Sequence, residues 1–374
     1  MKFIYFLLFI FALYSCASSG KKALQQGDYV KASKQAIEKL RNSPSHSEAQ
    51  GILQQAYPLA LEYLLANIQH AKASKMRFSW EKVVNSYEQI NDLYEDIRRS
   101  PAALSLVKPK FYVDQLVDAK QEAASERYNA GIQVFELKTR KTAQEAYLHF
   151  ERAEQLFPDF KDSKKKMQES MEMATLKVLL SPVNSYQNND LSFMNFQKEL
   201  WDYCSNQRNM PKFVRFYNVQ TQNQTFDQTL KIDLSMFEVG QPYLQANTDK
   251  LASLDSVKVG EVTLNGKKID VKNKVYAEFN SFNKKITAKT RIALQIIDYK
   301  QNTVLMQENV DSEYIWQNEW ASFNGDERAL SPTQKSKTQK REEPNPSRQE
   351  MFNQTTNSAR YKITDFIAKF YKNY

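Results

Sequence analysis

The chain has 374 residues, of which 41% are hydrophobic and 12% aromatic, and this composition is typical of a globular rather than a disordered protein. At roughly 150 residues per domain, the length suggests two or three domains. The formal net charge of +9 is modest and is spread along the chain except for the basic run KSKTQKR, residues 335–341. This argues against a dedicated nucleic-acid-binding protein, because such proteins cluster their basic residues.

A short apolar leader begins the chain. Lys2 precedes an unbroken apolar and aromatic run over residues 3–14. This run is too short to span a bilayer, which takes roughly 20 residues, but it suits the core of a signal peptide. No other stretch of the sequence is apolar and long enough to span. We therefore predict a signal peptide over residues 1–15.

The leader ends in the sequence Leu13-Tyr14-Ser15-Cys16. This resembles the lipobox of bacterial lipoproteins, although Tyr14 is larger than the usual residue at its position. The resemblance implies cleavage before Cys16, acylation of its thiol by palmitate-type chains, and a membrane-anchored protein that faces the periplasm. Since no Asp follows the cysteine, it also implies the outer membrane of a Gram-negative bacterium. The alternative is an ordinary cleaved signal peptide with an incidental cysteine.

The second cysteine of the chain is Cys204. If Cys16 carries lipid, Cys204 has no disulfide partner within the chain. It lies at helical spacing from Leu200 and Trp201, so we predict a buried core thiol rather than a nucleophile.

Residues 20–49 resemble a tetratricopeptide repeat, which is a pair of packed antiparallel helices. The matching positions are Gly20 in the first helix, the turn Gly27-Asp28-Tyr29, Ala32, Leu40 and Pro44. Small residues let two helices approach closely, and proline ends the repeat. A second match comprises Gly131, Ala146, Phe150, Ala153 and Pro158. The resemblance implies a concave surface that holds segments of partner proteins.

Between the two matches, apolar residues recur at helical spacing over 47–75 and 80–99. Two long helices are predicted there, and Pro101 follows the second about six residues later than in a standard repeat. We therefore predict a degenerate, all-α array of TPR-like repeats over residues 16–173.

After Met173 the apolar period changes from 3.6 to 2. The pattern predicts a strand over 175–183, a helix over 190–206 capped by Asp190, and a further strand over 213–219. Alternating strands follow at 229–236, 286–296 and 303–316, with a type I′ hairpin turn at Asn265-Gly266. The polar, proline-containing segment 331–347 is predicted to be a disordered loop. An apolar stripe from Phe352 to Phe370 then predicts a terminal helix.

The predicted fold class is therefore α+β and multidomain. An all-α TPR-like domain precedes an α/β sandwich over 174–374, with a largely antiparallel sheet and a C-terminal helix. This order of elements resembles the periplasmic lipoprotein fold shared by penicillin-binding-protein activators of the LpoB type and curli-secretion lipoproteins of the CsgG type. The segment IALQIIDYKQNTVL, residues 292–305, carries the resemblance. Its Gln301-Asn302-Thr303 replaces the usual Thr-Gly, and the early Gly-rich segments of that family are missing.

No residues in the sequence have the spacing of a metal or cofactor site. The histidines, His46, His70 and His149, lie in separate helical segments without a ligand at metal-binding spacing. There is also no Gly-rich nucleotide loop, nucleophile elbow or zinc-type cysteine pair. We predict neither a cofactor nor a metal.

The densest polar and aromatic cluster is Tyr314 to Ser331. We predict that two tryptophans share a helix face and that a turn with three charged residues follows. Because Trp and Arg often anchor interfaces, we take these five residues as partner-binding candidates. They are Trp316, Trp320, Asp326, Glu327 and Arg328. In the alternatives, Glu319, Asp326 or Glu327 supplies an acid/base pair for glycan hydrolysis, or the cluster is structural.

These features predict a non-enzymatic lipoprotein that acts as a protein-binding adaptor or regulator in cell-envelope biogenesis or secretion. Its partners would be envelope proteins, held by the helical repeats, and the bilayer, held through acylated Cys16. The oligomeric state stays open. The alternatives are an envelope glycan or peptide hydrolase and an oligomeric secretion-pore component. The lack of an obvious amphipathic membrane hairpin in the sequence weighs against the pore.

Overall fold

The computed structural model describes residues 18–181, 191–218 and 225–374. The chain divides into two compact units, with the boundary between Ala174 and Thr175. The first unit is helical, and the second contains a mixed sheet with helices, so the chain is an α+β protein. The predicted signal peptide, Cys16 and the predicted cap Asp190 lie outside the described residues.

The helical unit contains eight described helices. They are α1 (Lys21–Gln25), α2 (Tyr29–Asn42), α3 (Ser47–Ala73), α4 (Ser79–Arg98), α5 (Pro101–Leu104), α6 (Val113–Phe135), α7 (Arg140–Leu156) and α8 (Ser163–Ala174). The helices predicted over 47–75 and 80–99 are confirmed as α3 and α4. Their apolar stripes meet those of α2 and α6 in one continuous core of aliphatic and aromatic side chains.

The turn before α2 forms as predicted. Asp28 caps α2 by accepting a hydrogen bond from the backbone N–H of Lys31 at 3.1 Å. Gly20 has a φ of 89°, and a Cβ there would lie 2.5 Å from the carbonyl oxygen of Ala32, so only glycine fits. The prediction that Gly20 lies inside the first helix is wrong. Gly20 has a left-handed backbone conformation, which cannot be part of an α-helix, so the short helix α1 begins only after it.

The second close approach lies between α6 and α7. Phe150 is fully buried, and a Cβ on Gly131 would lie 2.7 Å from its ring. Ala146 and Ala153, one turn to either side of Phe150 on α7, are also fully buried. The small residues predicted from the sequence therefore do allow these two helices to pack closely.

The second unit begins with β1 (Leu176–Leu180), α9 (Leu191–Ser205) and β2 (Val214–Tyr217). Its long antiparallel strands are β3 (Gln228–Val239), β4 (Tyr243–Ala252), β5 (Val257–Leu264), β6 (Lys267–Asn273), β7 (Tyr276–Asp298) and β8 (Val304–Gly325). A 3₁₀ turn (Glu327–Ala329), α10 (Pro332–Thr338) and α11 (Arg348–Tyr371) complete it.

The long strand β7 organises the sheet. β8 pairs with it along almost its whole length, while β3 pairs with its second half and β4 with its first half on the other edge. β1 continues the sheet beyond β3 and runs parallel to both β2 and β3. β5 and β6 form a separate two-stranded sheet.

One face of the main sheet is covered and the other is polar. The predicted alternation along β7 buries Ile292, Leu294 and Ile296 against α9 and α11. Side chains on the opposite face form cross-strand ion pairs, of which Arg291 with Asp311 is the closest at 2.7 Å. This is the pattern of an antiparallel sheet with one solvated face.

Cys204 lies in the core beneath α11 and is fully buried, as predicted. Burial raises the pKa of its thiol to about 12. The thiolate is the reactive form of cysteine, so this residue is an inert part of the core.

Two predictions in the second unit are wrong. Trp316 and Trp320 lie on the strand β8 and not on a helix. Residues 331–347 are not a disordered loop, because 332–338 form α10, which starts with a reciprocal capping box between Ser331 and Gln334. The residues that follow α10 contact Lys284 of β7 and Asn318 of β8.

Candidate functional site

The structure places Trp316 and Trp320 around a buried lysine. Both lie on one face of β8, paired with Ile286 and Phe282 of β7. The ring of Phe282 stacks on that of Trp320, with 5.3 Å between centroids. The Nζ atom of Lys284 lies 5.6 Å from the ring centroid of Trp316 and 5.9 Å from that of Trp320. Both tryptophans therefore make cation–π contacts within the chain.

Residues 339–347, here called the strap, cover this cation. The Nζ of Lys284 donates hydrogen bonds to Glu342 and to the carbonyl of Glu343, each at 2.8 Å. The side chain of Asn318 accepts a hydrogen bond from the Glu343 N–H at 3.1 Å. Lys284 is only 7% exposed as a result. The strap thus satisfies a buried charge that would otherwise be costly to hold there.

We predict that Lys284→Met frees the strap. The substitution removes two charge-assisted hydrogen bonds, each contributing about 1.5–3 kcal/mol, while a methionine still packs between the indole rings. Limited proteolysis with trypsin should then cut after Lys340 or Arg341 at least about ten times faster.

The matched control is Lys285→Met, on the opposite face of the same strand, which should leave the cleavage rate unchanged. Equal cleavage of the wild type and the Lys284 variant would contradict the ordering role of this lysine.

The three charged candidates follow β8 in a turn. Arg328 binds the Asp326 carboxylate at 2.5 Å and donates to the carbonyl of Lys258 at 2.7 Å. Glu327 pairs with Lys335 of α10 at 3.7 Å. Side-chain and backbone hydrogen bonds from Arg328 lower the pKa of Asp326 to about 2. These contacts tie the turn to α10 and to the start of β5.

Two of the three carboxylates proposed for hydrolysis, Glu319 and Asp326, have lowered pKa values. A hydrogen bond from Lys337 lowers the pKa of Glu319, and Asp326 is shifted in the same direction. A glycosidase needs one carboxylic acid whose pKa is raised so that it stays protonated. Both shifts keep these groups ionised, which disfavours the hydrolase alternative.

A different candidate surface lies on the helical unit, in a groove of about 520 Å³ between α3 and α4. It is lined by Tyr63, Leu64, Asn67, His70, Ala71, Ser74, Lys82, Asn85, Ser86 and Gln89. We call it the α3–α4 groove. Tyr63 is 54% exposed at its wall, and the amides of Asn85 and Gln89 bond to each other at 3.1 Å. Side-chain amides both donate and accept, so such a row can bind the backbone of an extended peptide.

Sequence reasoning missed this groove because it examined the apolar faces of α3 and α4. The polar groove residues lie on the flanks of those helices, at three- and four-residue steps such as Asn67 to His70 and Asn85 to Gln89. That spacing of amide and basic residues is the signal that was available.

A cluster of charges next to the groove holds α4 in place. Glu81, near the start of α4, binds Arg127 of α6 at 2.5 Å and Arg152 of α7 at 2.9 Å. The Arg127 guanidinium also lies 3.6 Å from the ring centroid of Phe78, whose backbone has a left-handed φ of 62°. A bulky residue in that conformation is strained, so its contacts must stabilise it.

His149 completes the cluster from α7. Its ring centroid lies 5.4 Å from that of Phe78, and its Nδ1 lies 3.4 Å from Arg127. Burial, and then the positive charge of Arg127, lower the pKa of His149. A neutral imidazole packs against the ring and the guanidinium without adding a like charge.

Comparison with known proteins adds no family. The chain matches no family model, and no curated protein is significantly similar to it in sequence. Within the described ranges, no cluster of His, Cys, Asp and Glu has the makings of a metal site. The helices that the structure describes include none with the length and apolarity to cross a bilayer.

Proposed function

We propose that this chain is a periplasm-facing lipoprotein, acylated at Cys16, that acts as a protein-binding adaptor or regulator in the cell envelope. The observation that carries the binding role is the α3–α4 groove, a polar cleft walled by an exposed tyrosine on a rigid pair of helices. Grooves of this kind suit extended segments of partner proteins, because paired amides replace the hydrogen bonds that the segment makes with water.

Two features support the TPR-like interpretation of the helical unit. The close approach of Gly131 on α6 to Phe150 on α7 is a helix contact of the kind that the repeat pattern requires, and Gly20, just before α1, approaches Ala32 of α2 closely. Irregular helix lengths, from 4 residues in α5 to 27 in α3, fit a degenerate array. We also propose a distant likeness of the second unit to the LpoB and CsgG type fold, supported by element order alone.

The groove is positively biased at one end. Lys82 and His70 lie among its lining residues, and the groove contains no carboxylate among them. A partner segment with an acidic side chain or a free C-terminal carboxylate would complement this end electrostatically. We therefore propose acidic, extended segments of envelope proteins as the partner class.

Tyr63→Ala tests the adaptor proposal. If Tyr63 is an anchor of the interface, its truncation should weaken partner binding by about 2 kcal/mol, or roughly thirtyfold in Kd. The measurement is affinity capture of the full chain from envelopes, with quantification of co-purified proteins. The matched control is Tyr361→Ala, since Tyr361 is also exposed but lies on α11 of the other unit. If both variants capture the same proteins in the same amounts as the wild type, the groove is not the binding site.

Cys16→Ser tests the anchor separately. The wild-type protein should yield an N-terminal peptide that begins at Cys16 and carries acyl chains, whereas the variant should keep an uncut, unacylated leader. Mass spectrometry of the N-terminal peptide distinguishes these forms. An unacylated Cys16 in the wild type would refute the lipoprotein assignment while leaving the groove proposal standing.

A further inference from the structure

The hairpin of β5 and β6 is the least covered part of the second unit. Asn265 and Gly266 have φ values of 50° and 72° and form the predicted type I′ turn at its tip. Among the described strands, β5 and β6 pair only with each other. Apart from Val257, every residue of the two strands is exposed. Hairpins of two strands are marginally stable alone, so a surface that covers one face would stabilise this one.

The two faces of the hairpin differ in chemistry. The register pairs Val262 with Ile269 and thereby gathers four aliphatic side chains on one face. They are Val262, Leu264, Ile269 and Val271, with exposures between 37% and 58%. Sequence reasoning found the turn but not this amphipathic character, and it counted the lack of an obvious amphipathic hairpin against the pore alternative. The bulge at Val259 conceals the alternation in the first strand.

Most of the charged side chains on the opposite face of the hairpin already pair with one another. Lys258 forms ion pairs with Glu261 and with Asp270, the latter at 2.7 Å, and Lys268 lies 3.5 Å from Glu261. Covering the charged face would therefore add little stabilisation. Covering the exposed aliphatic face would be favourable by about 25 cal/mol for each Å² of apolar surface removed from water.

The charge of the hairpin indicates what covers it. Residues 257–274 contain five lysines and two acidic residues. Lys267 is the cross-strand partner of Leu264 on the aliphatic face, whereas Lys272, the partner of Lys258, lies on the charged face and Lys274 follows the strand. In the part of the chain that the structure describes, these three lysines form no ion pair. An exposed aliphatic face beside a free lysine, in a segment of net positive charge, is typical of segments that lie in the interface of anionic membranes.

We propose that the β5–β6 hairpin docks on an anionic lipid surface, with its aliphatic face in the interface and its lysines at the headgroups. A second copy is a poorer occupant, because it would bring two positively charged hairpins together and bury both Lys267 side chains. The strands have 8 and 7 residues. A strand needs about 9–11 to cross a bilayer, so the hairpin lies on the membrane rather than across it. This contact goes beyond the adaptor role and uses no residue of the α3–α4 groove.

The test attaches the environment-sensitive dye nitrobenzoxadiazole to single positions of the full chain. Leu264→Cys places it on the aliphatic face, and Thr263→Cys places it on the charged face as the matched control. Cys204 is buried and does not compete for the label, and Cys16→Ser in both labelled proteins removes the other thiol of the chain. Each labelled protein is mixed with vesicles of phosphatidylcholine containing about one-third phosphatidylglycerol, or of phosphatidylcholine alone, a contrast that isolates the surface charge.

We expect the emission of the dye at 264 to rise severalfold with the anionic vesicles and to be quenched by brominated lipid, while the dye at 263 stays in water. Replacing Lys267 by Gln should lower the ratio of docked to free hairpin about fivefold, and replacing Lys272 and Lys274 as well should lower it further. Tyr63→Ala should leave the signal unchanged, which separates this proposal from the adaptor role.

Three results would overturn the proposal. The first is an unchanged signal at 264, or an equal change at 263, with anionic vesicles. The second is an equal response to neutral and anionic vesicles. The third is a rise at 264 without vesicles that grows with protein concentration, which would show that a second copy covers the face.

Discussion

Glu81→Gln should destabilise the helical unit by about 2–3 kcal/mol. Glu81 is the common acceptor for Arg127 and Arg152, and its side chain is only 20% exposed. Removing the central charge leaves the two guanidinium groups without the counter-ion that they share, and breaking a fully buried pair in this way costs about 3–5 kcal/mol. Partial exposure of this cluster reduces that figure.

Hydrogen exchange measures the effect within the unit. Backbone amides of α4, α6 and α7 should exchange roughly 30 to 150 times faster in the variant, because each 1.4 kcal/mol corresponds to a factor of ten. The matched control is Glu88→Gln, whose carboxylate joins α4 to α6 through Lys120 but is exposed. That substitution should cost less than about 1 kcal/mol. Similar costs for both variants would contradict a special role for Glu81.

The same residue predicts a pH dependence. Burial by itself raises the pKa of Glu81, but the hydrogen bonds and charges of Arg152 and Arg127 together outweigh it and lower the pKa below its ordinary value of 4.5. The stabilisation is therefore fully present above about pH 4.5 and is lost as the pH falls through the lowered folded-state pKa. The Gln variant should show a flatter decline in stability below pH 4.5 than the wild type.

Gly131→Leu is the second large expected effect. A Cβ at this position would lie 2.7 Å from the buried ring of Phe150, and a leucine adds three further carbons to the same space. Overpacking of this kind costs about 1–3 kcal/mol, occasionally more. This loss should exceed the gain of about 0.8–1 kcal/mol that follows from replacing glycine within a helix. Chemical denaturation followed through α6 and α7 should therefore show a less stable helical unit.

Gly51→Leu is the matched control, because Gly51 lies within α3 and a Cβ there meets no atom within 4 Å. It should leave stability unchanged or raise it. Phe150→Ala alone should cost about 3–5 kcal/mol. Combined with Gly131→Leu it should cost less than the sum of the two, because the leucine fills the space that the ring leaves. Additive costs would show that the two side chains do not share that space.

Much of the fold follows from local pattern. Apolar residues at helical spacing predict α3, α4 and α11, and strict alternation of apolar and polar residues predicts β3 and the second half of β7. Each pattern places the apolar side chains on one face of its element, and that face must be buried against another part of the protein. Asn265-Gly266 predicts its hairpin because both residues adopt positive φ readily. The small residues Gly131 and Ala146 likewise indicate a close contact between two helices.

Local pattern is ambiguous for Trp316 and Trp320. Residues four apart share a face in an α-helix and also in a strand, so their spacing does not distinguish the two. The pairing of β8 with β7 decides the outcome, because β8 forms a ladder with 21 residues of β7. The residues near the tryptophans contain no local signal for this pairing.

The sequence alone determined most of the helices and strands, the need for small residues at the close helix contacts, and the likeness of Cys16 to a lipidation site. Tertiary structure decided the partners of the buried charges, because those partners are distant in the chain. Lys284 meets Glu342 across 58 positions, and Glu81 meets Arg152 across 71. Local periodicity reports only which face of an element is apolar, whereas the partners of a buried charge are set by how the elements pack.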